Sequence, residues 1–345
     1  MVQIIKDASA WLGSNIQQSD RWICHLSSKE IGEINDALSN SITNKVSLKE
    51  MTPSDFPLPL FSKRLESMLK EIETGHGLYL FRGFPATNYT KDDLRRIFWG
   101  IGLYCGVAVS QSKRGDVLGD VRDIGTPPSG PKFRGYTSNG ELTYHCDAAD
   151  VTGLFCLQPA KNGGLSKVVS LSRIHNQIMK EHPNLITVLY QPFHWGRQGN
   201  EFPDQNPYYT QPIFSFCNGK FAGRYTRTHI RTAELGRVTP PLTDLQKMAL
   251  AKIDEICERP EFQLTMMFEP GDIQFLNNHV TLHTRTAFED YEDTKRKRHL
   301  LRLWFSPPNS RPLDCSFKPF FRDIRPGAIR GGFPGHGKAI LFQTN

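Results

Sequence analysis

The sequence predicts a mainly β protein, a double-sheet jelly roll with α-helices flanking it. Short alternating or aromatic-rich runs accumulate from Leu78 onward, punctuated by Gly, Pro and Asn, as packed strands and tight turns require. Helical stripes crowd instead into the first hundred residues, and only two more interrupt the strands. Neither an internal repeat nor a low-complexity block is present.

Taken in order, Ser27-x-x-Glu30 has the form of a capping box, with Ile31, Ile34, Leu38 and Ile42 following at helical spacing. A second stripe of Phe61, Leu65, Met68, Leu69 and Ile72 stops near Gly75-His76-Gly77, and a third of Leu94, Ile97, Phe98 and Ile101 follows Thr90. Such one-sided stripes pack against the outside of a strand core. Strands are expected at Leu142-Thr143-Tyr144 and at 151–157, 214–216, 220–225, 262–268, 273–275 and 298–305. Helices are expected at 171–179 and 243–257, the latter opening with Thr243-x-x-Gln246 and ending before Pro260. No Pro/Gly/Ser linker divides the chain, so 1–345 reads as a single domain: a helical flank (1–77), a jelly-roll core (78–305) with an insertion at about 193–260, and a tail (306–345).

Lysine and arginine exceed aspartate and glutamate by 42 − 35 = 7, an excess that draws anionic small molecules to a basic cleft. Dispersed basic residues, without a recognition helix or aromatic stacking platform, speak against nucleic acid. Seven widely spaced cysteines with no Cys-x-x-Cys pair, and no signal peptide, place the expectation in a reducing, cytoplasmic compartment. No run approaches the ~20 apolar residues of a membrane helix. The sequence says nothing about oligomeric state.

The chemistry concentrates in two places. His145-Cys146-Asp147 sets an imidazole and a carboxylate two residues apart, which on a strand share one face. Far downstream, His283 stands in Asn277-Asn278-His279-Val280-Thr281-Leu282-His283-Thr284-Arg285. Two imidazoles and one carboxylate make the facial triad that holds Fe(II) and leaves three positions open. His279, four residues before His283, is the nearest rival ligand, and Cys146 points to the opposite face. Fifteen residues beyond His283 begins an alternating strand with Arg298 and Arg302 on one face. Arg302, between Leu301 and Leu303, is a charge among apolar neighbours and needs a buried partner. A guanidinium fork is the natural clamp for a carboxylate.

From about Gly75 to Phe305 the chain resembles the taurine dioxygenase and clavaminate synthase-like family of Fe(II)/2-oxoglutarate oxygenases. The resemblance rests on Leu80-Phe81-Arg82-Gly83-Phe84, Tyr144-His145-Cys146-Asp147, Gly163-Gly164, Pro270-Gly271-Asp272, Leu282-His283-Thr284-Arg285 and the Arg298–Phe305 segment, in the family's order. It implies a double-stranded β-helix of cupin type, with His145, Asp147 and His283 as catalytic iron ligands. It further implies that Arg302 pairs with the distal carboxylate of 2-oxoglutarate, supported by Arg298, and that Ser166 supplies a hydroxyl to the same carboxylate where the family more often has Thr. Fe(II), 2-oxoglutarate and O2 would then oxidise an unactivated C–H of a small molecule in specialised metabolism, by hydroxylation, desaturation or cyclisation, with succinate and CO2 released. Asp147 speaks against a halogenase.

An amino acid or related carboxylic acid is the expected substrate. Arg134, Arg197, Arg224 and Arg227 are cations available to it, and the aromatic stretch opening at Phe193 would cover the site's mouth. Beyond a Gly/Pro run, the chain ends in Ala339-Ile340-Leu341-Phe342, which predicts that Ile340 and Phe342 fold back onto the pocket. Two other classes compete: a Zn-dependent cupin-type hydrolase or isomerase, which would have no need of Arg302, and an inactive jelly-roll binding module, which would have no reason to keep triad and clamp together.

Overall fold

The computed structural model describes residues 2–125, 135–201, 205–237 and 239–333. Two sheets face each other. The larger has seven strands, in the order Ile23–His25, Leu78–Arg82, Ile273–Asn277, Val151–Gln158, His299–Ser306 and Val107–Ala108, with Leu118–Val121 also pairing with His299–Ser306. The smaller runs Leu264–Met266, Ser166–Ser170, Thr281–Arg285. Sequential distance between neighbours is large throughout, as a jelly roll demands.

Alternation along the central strands decides what each face does. On His299–Ser306, the side chains of Leu301, Leu303 and Phe305 point outward and join one apolar cluster with Phe81, Phe98 and Phe155. Leu300, Arg302 and Trp304 point inward to a cavity. On Val151–Gln158, Thr152 and Leu154 share that inward face. The outer face is covered by the helices Ser28–Thr43, Phe61–Thr74 and Lys91–Gly102, whose stripes enter the same cluster. Ser27 and Thr90 form the capping boxes that start the first and third of these.

The 193–260 interval is two hairpins, Phe193–Gly196 with Tyr208–Gln211 and Phe214–Cys217 with Lys220–Gly223, followed by the helices Arg227–Leu235 and Asp244–Cys257. Thr243 and Gln246 close the expected capping box. Phe193 is fully buried in the core beneath Asp244–Cys257, together with Trp195, Phe214 and Ile253. It does not line the cavity, contrary to the expectation that it covers the mouth, because Phe193 and Trp195 project from the buried side of their hairpin. No helix among the described residues is long and apolar enough to cross a membrane. All seven cysteines are free thiols.

Candidate active site

His145 is reached through an extended segment rather than a regular strand, which corrects the expected Leu142-Thr143-Tyr144 strand. Residue 145 makes two isolated antiparallel bridges, to His283 on one side and Thr226 on the other. Its N–H donates to the His283 carbonyl (3.1 Å), and the His283 N–H returns the bond (2.8 Å). Two residues on, the Asp147 N–H leaves the ladder and donates instead to Asn278 Oδ1 (3.0 Å). The segment thus crosses from the small sheet toward the large one, which a continuous strand could not do.

That crossing brings the three predicted ligands together. One donor atom from each of His145, Asp147 and His283 lies within 4.8 Å of the others. His145 Nδ1 faces the Thr143 carbonyl at 2.8 Å; a carbonyl only accepts, so Nδ1 carries the proton and Nε2 keeps its lone pair. His283 Nε2 stands 3.9 Å from Asp147 Oδ2. Burial, with the His145 ring beside it, pulls the His283 pKa down to about 3, so this imidazole is neutral. Burial alone would raise the Asp147 pKa; the Arg302, His283 and His145 side chains and the Thr152 hydroxyl outweigh it and hold the carboxyl at about 2. Thr152 Oγ1 donates to Asp147 Oδ2 (2.8 Å) while accepting from Asn278 Nδ2 (3.0 Å), which fixes the carboxylate's orientation. A neutral imidazole facing an ionised, oriented carboxylate suits a divalent metal of the borderline type.

The ligands open onto a cavity of about 350 Å³, the size of a small-molecule site. Arg224, Arg285, Arg298 and Arg302 all line it, each no more than 9% exposed. Among the described residues only Arg302 has a carboxylate in reach: its Nη1 lies 3.3 Å from Asp147 Oδ1 and its Nε donates to Gln111 Oε1 (2.7 Å). The Arg285 guanidinium is spent on the carbonyls of Ser138 and Gly140. Arg285 keeps one buried nitrogen, Nε, without a partner, whereas the Arg298 side chain makes no hydrogen bond among the described residues and its buried Nη1 is left over. Burial pulls the Arg298 pKa down to about 10, outweighing the opposing pull of the Asp290 carboxylate, which forms no ion pair with it. Ser166 lies on the same wall, paired in register with Arg285. The double glycine before it is required by the backbone: both residues have positive φ, and a Cβ on Gly163 would meet the Ala287 carbonyl at 2.3 Å.

His279, the rival ligand, is turned away. Its Nε2 contacts Asp150 Oδ1 at 2.6 Å, in a buried cluster with Arg330. Arg197 does not line the cavity either; it stacks on Tyr209 (4.5 Å) and donates to the carbonyls of Asn206 and Pro319. Arg227 pairs with Asp254 (3.3 Å) at a separate cavity. Arg134, Ile340 and Phe342 lie outside the described residues. Four residues of the site escaped the sequence reading, Gln111 and Phe333 on the cavity wall and Thr152 and Asn278 behind Asp147. Gln111, Thr152 and Phe333 stand in no motif, whereas Asn278 sits beside His279 in the quoted segment and could have been weighed as a partner of the ligand loop.

Residues 43–304 match the family model described as taurine catabolism dioxygenase TauD, TfdA family. The chain belongs to this family of Fe(II)- and 2-oxoglutarate-dependent dioxygenases. It is 33% identical over 326 residues to FR-33289 synthase of Streptomyces rubellomurinus, covering 92% of this chain and 95% of that protein. It is 28% identical over 337 residues to the taurine hydroxylase-like protein SAT17 of Stachybotrys chartarum, covering 91% and 85%. Among solved structures, asparagine oxygenase in complex with Fe(II), 2S,3S-3-hydroxyasparagine and succinate superimposes with a TM-score of 0.64 at 16% identity, covering 83% of this chain and 93% of that one. The non-haem iron oxygenase OrfP, in complex with Fe and alpha-ketoglutaric acid, gives 0.62 at 13%, covering 82% and 93%. These two likenesses bear the expected cupin-like β-sandwich.

Proposed function

We propose that this dioxygenase oxidises an unactivated C–H of a small amino acid or related acid in specialised metabolism, with Fe(II) held by His145, Asp147 and His283 and with 2-oxoglutarate and O2 as co-substrates. The observation that carries the reading is the convergence of these three donors on one side of a cavity lined by buried, under-compensated arginines. Fe(II) bound there supplies the capacity to couple decarboxylation of the keto acid to oxidation of a C–H.

The chain's own residues orient and shield. Thr143 sets the His145 tautomer, so that Nε2 points its lone pair inward. Thr152 and Asn278 aim the Asp147 carboxylate, and Arg302 holds its charge in place. The unpartnered Nη1 of Arg298, with the Ser166 hydroxyl on the same wall, suits the distal carboxylate of 2-oxoglutarate. The side-chain partners therefore favour exchanging the two arginine roles expected from the sequence, with Arg298 as clamp and Arg302 as the neighbour of Asp147. Leu300, Leu154 and Trp304 keep the inner wall apolar and limit water at the reacting carbon.

Anaerobic absorption spectroscopy tests the class. Fe(II) protein should develop a visible metal-to-ligand charge-transfer band on adding 2-oxoglutarate and lose it in Asp147→Ala. Zn(II)-supported turnover without the band would favour the hydrolase or isomerase class instead.

A further inference from the structure

Arg224 is a cavity charge that the oxygenase reading above leaves without a role. It is 2% exposed, lines the active-site cavity, and has no carboxylate within ion-pair distance among the described residues. Its side chain makes one hydrogen bond, to the Tyr209 hydroxyl. The rest of its surroundings are rings: its guanidinium carbon lies 3.7 Å from the Phe320 centroid, 4.8 Å from that of Trp195 and 5.6 Å from that of Tyr209. Rings can attract a cation through their faces but accept few of its five N–H donors; no Arg224 nitrogen is a buried orphan, so the donors without a protein acceptor face the cavity. A second cation, Arg197, stacks on the same Tyr209 ring and adds repulsion. A buried guanidinium so placed is costly unless an anion completes it.

Its position says which anion. Across the small sheet the order runs Ser166–Ser170, Thr281–Arg285, His145, Thr226. Ser166 lies on one side of the ligand row, and Arg224, two residues from Thr226, lies on the other. A single 2-oxoglutarate clamped at Ser166 and Arg298 leaves Arg224 on the substrate's side of the row.

We propose that Arg224 recognises an anionic group of the substrate, a carboxylate or other compact oxyanion, on the Thr226 side of the ligand row. This rests on the oxygenase reading above. It makes Arg224 a specificity-determining residue for the acid, with Tyr209, Trp195 and Phe320 as the aromatic seat that presents its fork. Arg197, behind Tyr209, strengthens the local positive potential without touching the ligand.

The experiment uses the full chain loaded anaerobically with Fe(II) and 2-oxoglutarate. The probes are the common amino acids, their C-terminal primary amides, and taurine and 2-aminoethylphosphonate as tetrahedral-headgroup counterparts. Binding is read from the thermal unfolding midpoint at fixed ionic strength, and turnover from succinate formed in air. Acids should outbind their amides, and the acid that is turned over should lose about 100-fold in kcat/KM on conversion to the amide. Arg224→Gln should lose a similar factor on the acid and nearly erase the acid-to-amide gap, with Arg224→Lys between. Whether carboxylate or tetrahedral probes bind better distinguishes the headgroup. The keto-acid charge-transfer band is recorded in every sample. Its absence from wild type would defeat the oxygenase reading, whatever Arg224 does. With the band present, a panel in which no acid outbinds its amide overturns the proposal. So does an Arg224→Gln protein that keeps the acid preference while merely unfolding at lower temperature. Should Arg224→Gln not fold, the same comparison on Arg224→Lys decides, since lysine keeps the charge and loses the fork.

Discussion

Thr152 is buried and uses both capacities of its hydroxyl, donating to Asp147 and accepting from Asn278. Thr152→Val keeps the shape and removes both bonds. Fe(II) affinity should fall about 10-fold, the lower end of what outer-shell partners of a metal contribute. A metal titration giving wild-type affinity would mean that Asp147 is held well enough by Arg302 and its own backbone. The two arginines of the neighbouring strand separate in the same manner. Arg298→Gln removes the partner of a buried keto-acid carboxylate and should cost about 3–5 kcal/mol in 2-oxoglutarate binding. Arg302→Gln should act mainly on iron occupancy, through the charge it lends Asp147. If Arg302→Gln raises the 2-oxoglutarate requirement more than Arg298→Gln does, the roles stand as the resemblance alone implied. His279→Ala should retain full iron stoichiometry while losing stability, since its contact is with Asp150 rather than the cavity.

The segment after Ser306 is the element whose role the sequence disclosed least. The alternating strands, the capping boxes at Ser27 and Thr243 and the His-x-Asp pair were legible because their signals are local: a period, a hydroxyl three residues from a carboxylate or amide, two donors two apart. The tail's anchor is not local. Arg330 is fully buried, and its guanidinium meets Asp150, 180 residues upstream and three residues past Asp147. The Gly332 N–H donates to the Ala148 carbonyl (2.6 Å) and the Phe333 N–H to the Ser110 carbonyl (2.8 Å). Phe333 then completes the cavity wall beside Trp304, at 6.1 Å between ring centroids. The expectation that the tail reaches the pocket was argued from Ile340 and Phe342; among the described residues it is Phe333 that reaches it. Phe333→Ala should raise the ratio of succinate to oxidised product, because a widened wall holds the target carbon less firmly. Unchanged coupling would make Phe333 packing only. Gly332 has positive φ, and a Cβ there would meet the Ser110 carbonyl at 2.6 Å, so Gly332→Ala should loosen the same wall without touching the cavity directly.

Across the whole molecule, stability should depend on acid through His175. This histidine is fully buried among Phe214, Phe221 and Tyr190, and burial pulls its pKa from 6.5 to about 4. The unfolded chain therefore takes up a proton below pH 6.5 that the folded chain refuses until about pH 4. Stability is complete above pH 6.5 and falls across that window, by roughly 3 kcal/mol from this residue. Urea unfolding of wild type and His175→Gln at pH 7 and pH 4 checks it; parallel losses would acquit His175. His145 and His283 are 138 residues apart (283 − 145), and Ile273–Asn277 pairs with Leu78–Arg82 and Val151–Gln158. The tight pair of donors at 145 and 147 leaves the third to a long loop closure, whose entropic cost falls due before chelation returns anything. Iron is therefore no seed for this topology but a latch upon it: Fe(II) should leave the refolding rate unchanged and slow only the unfolding rate.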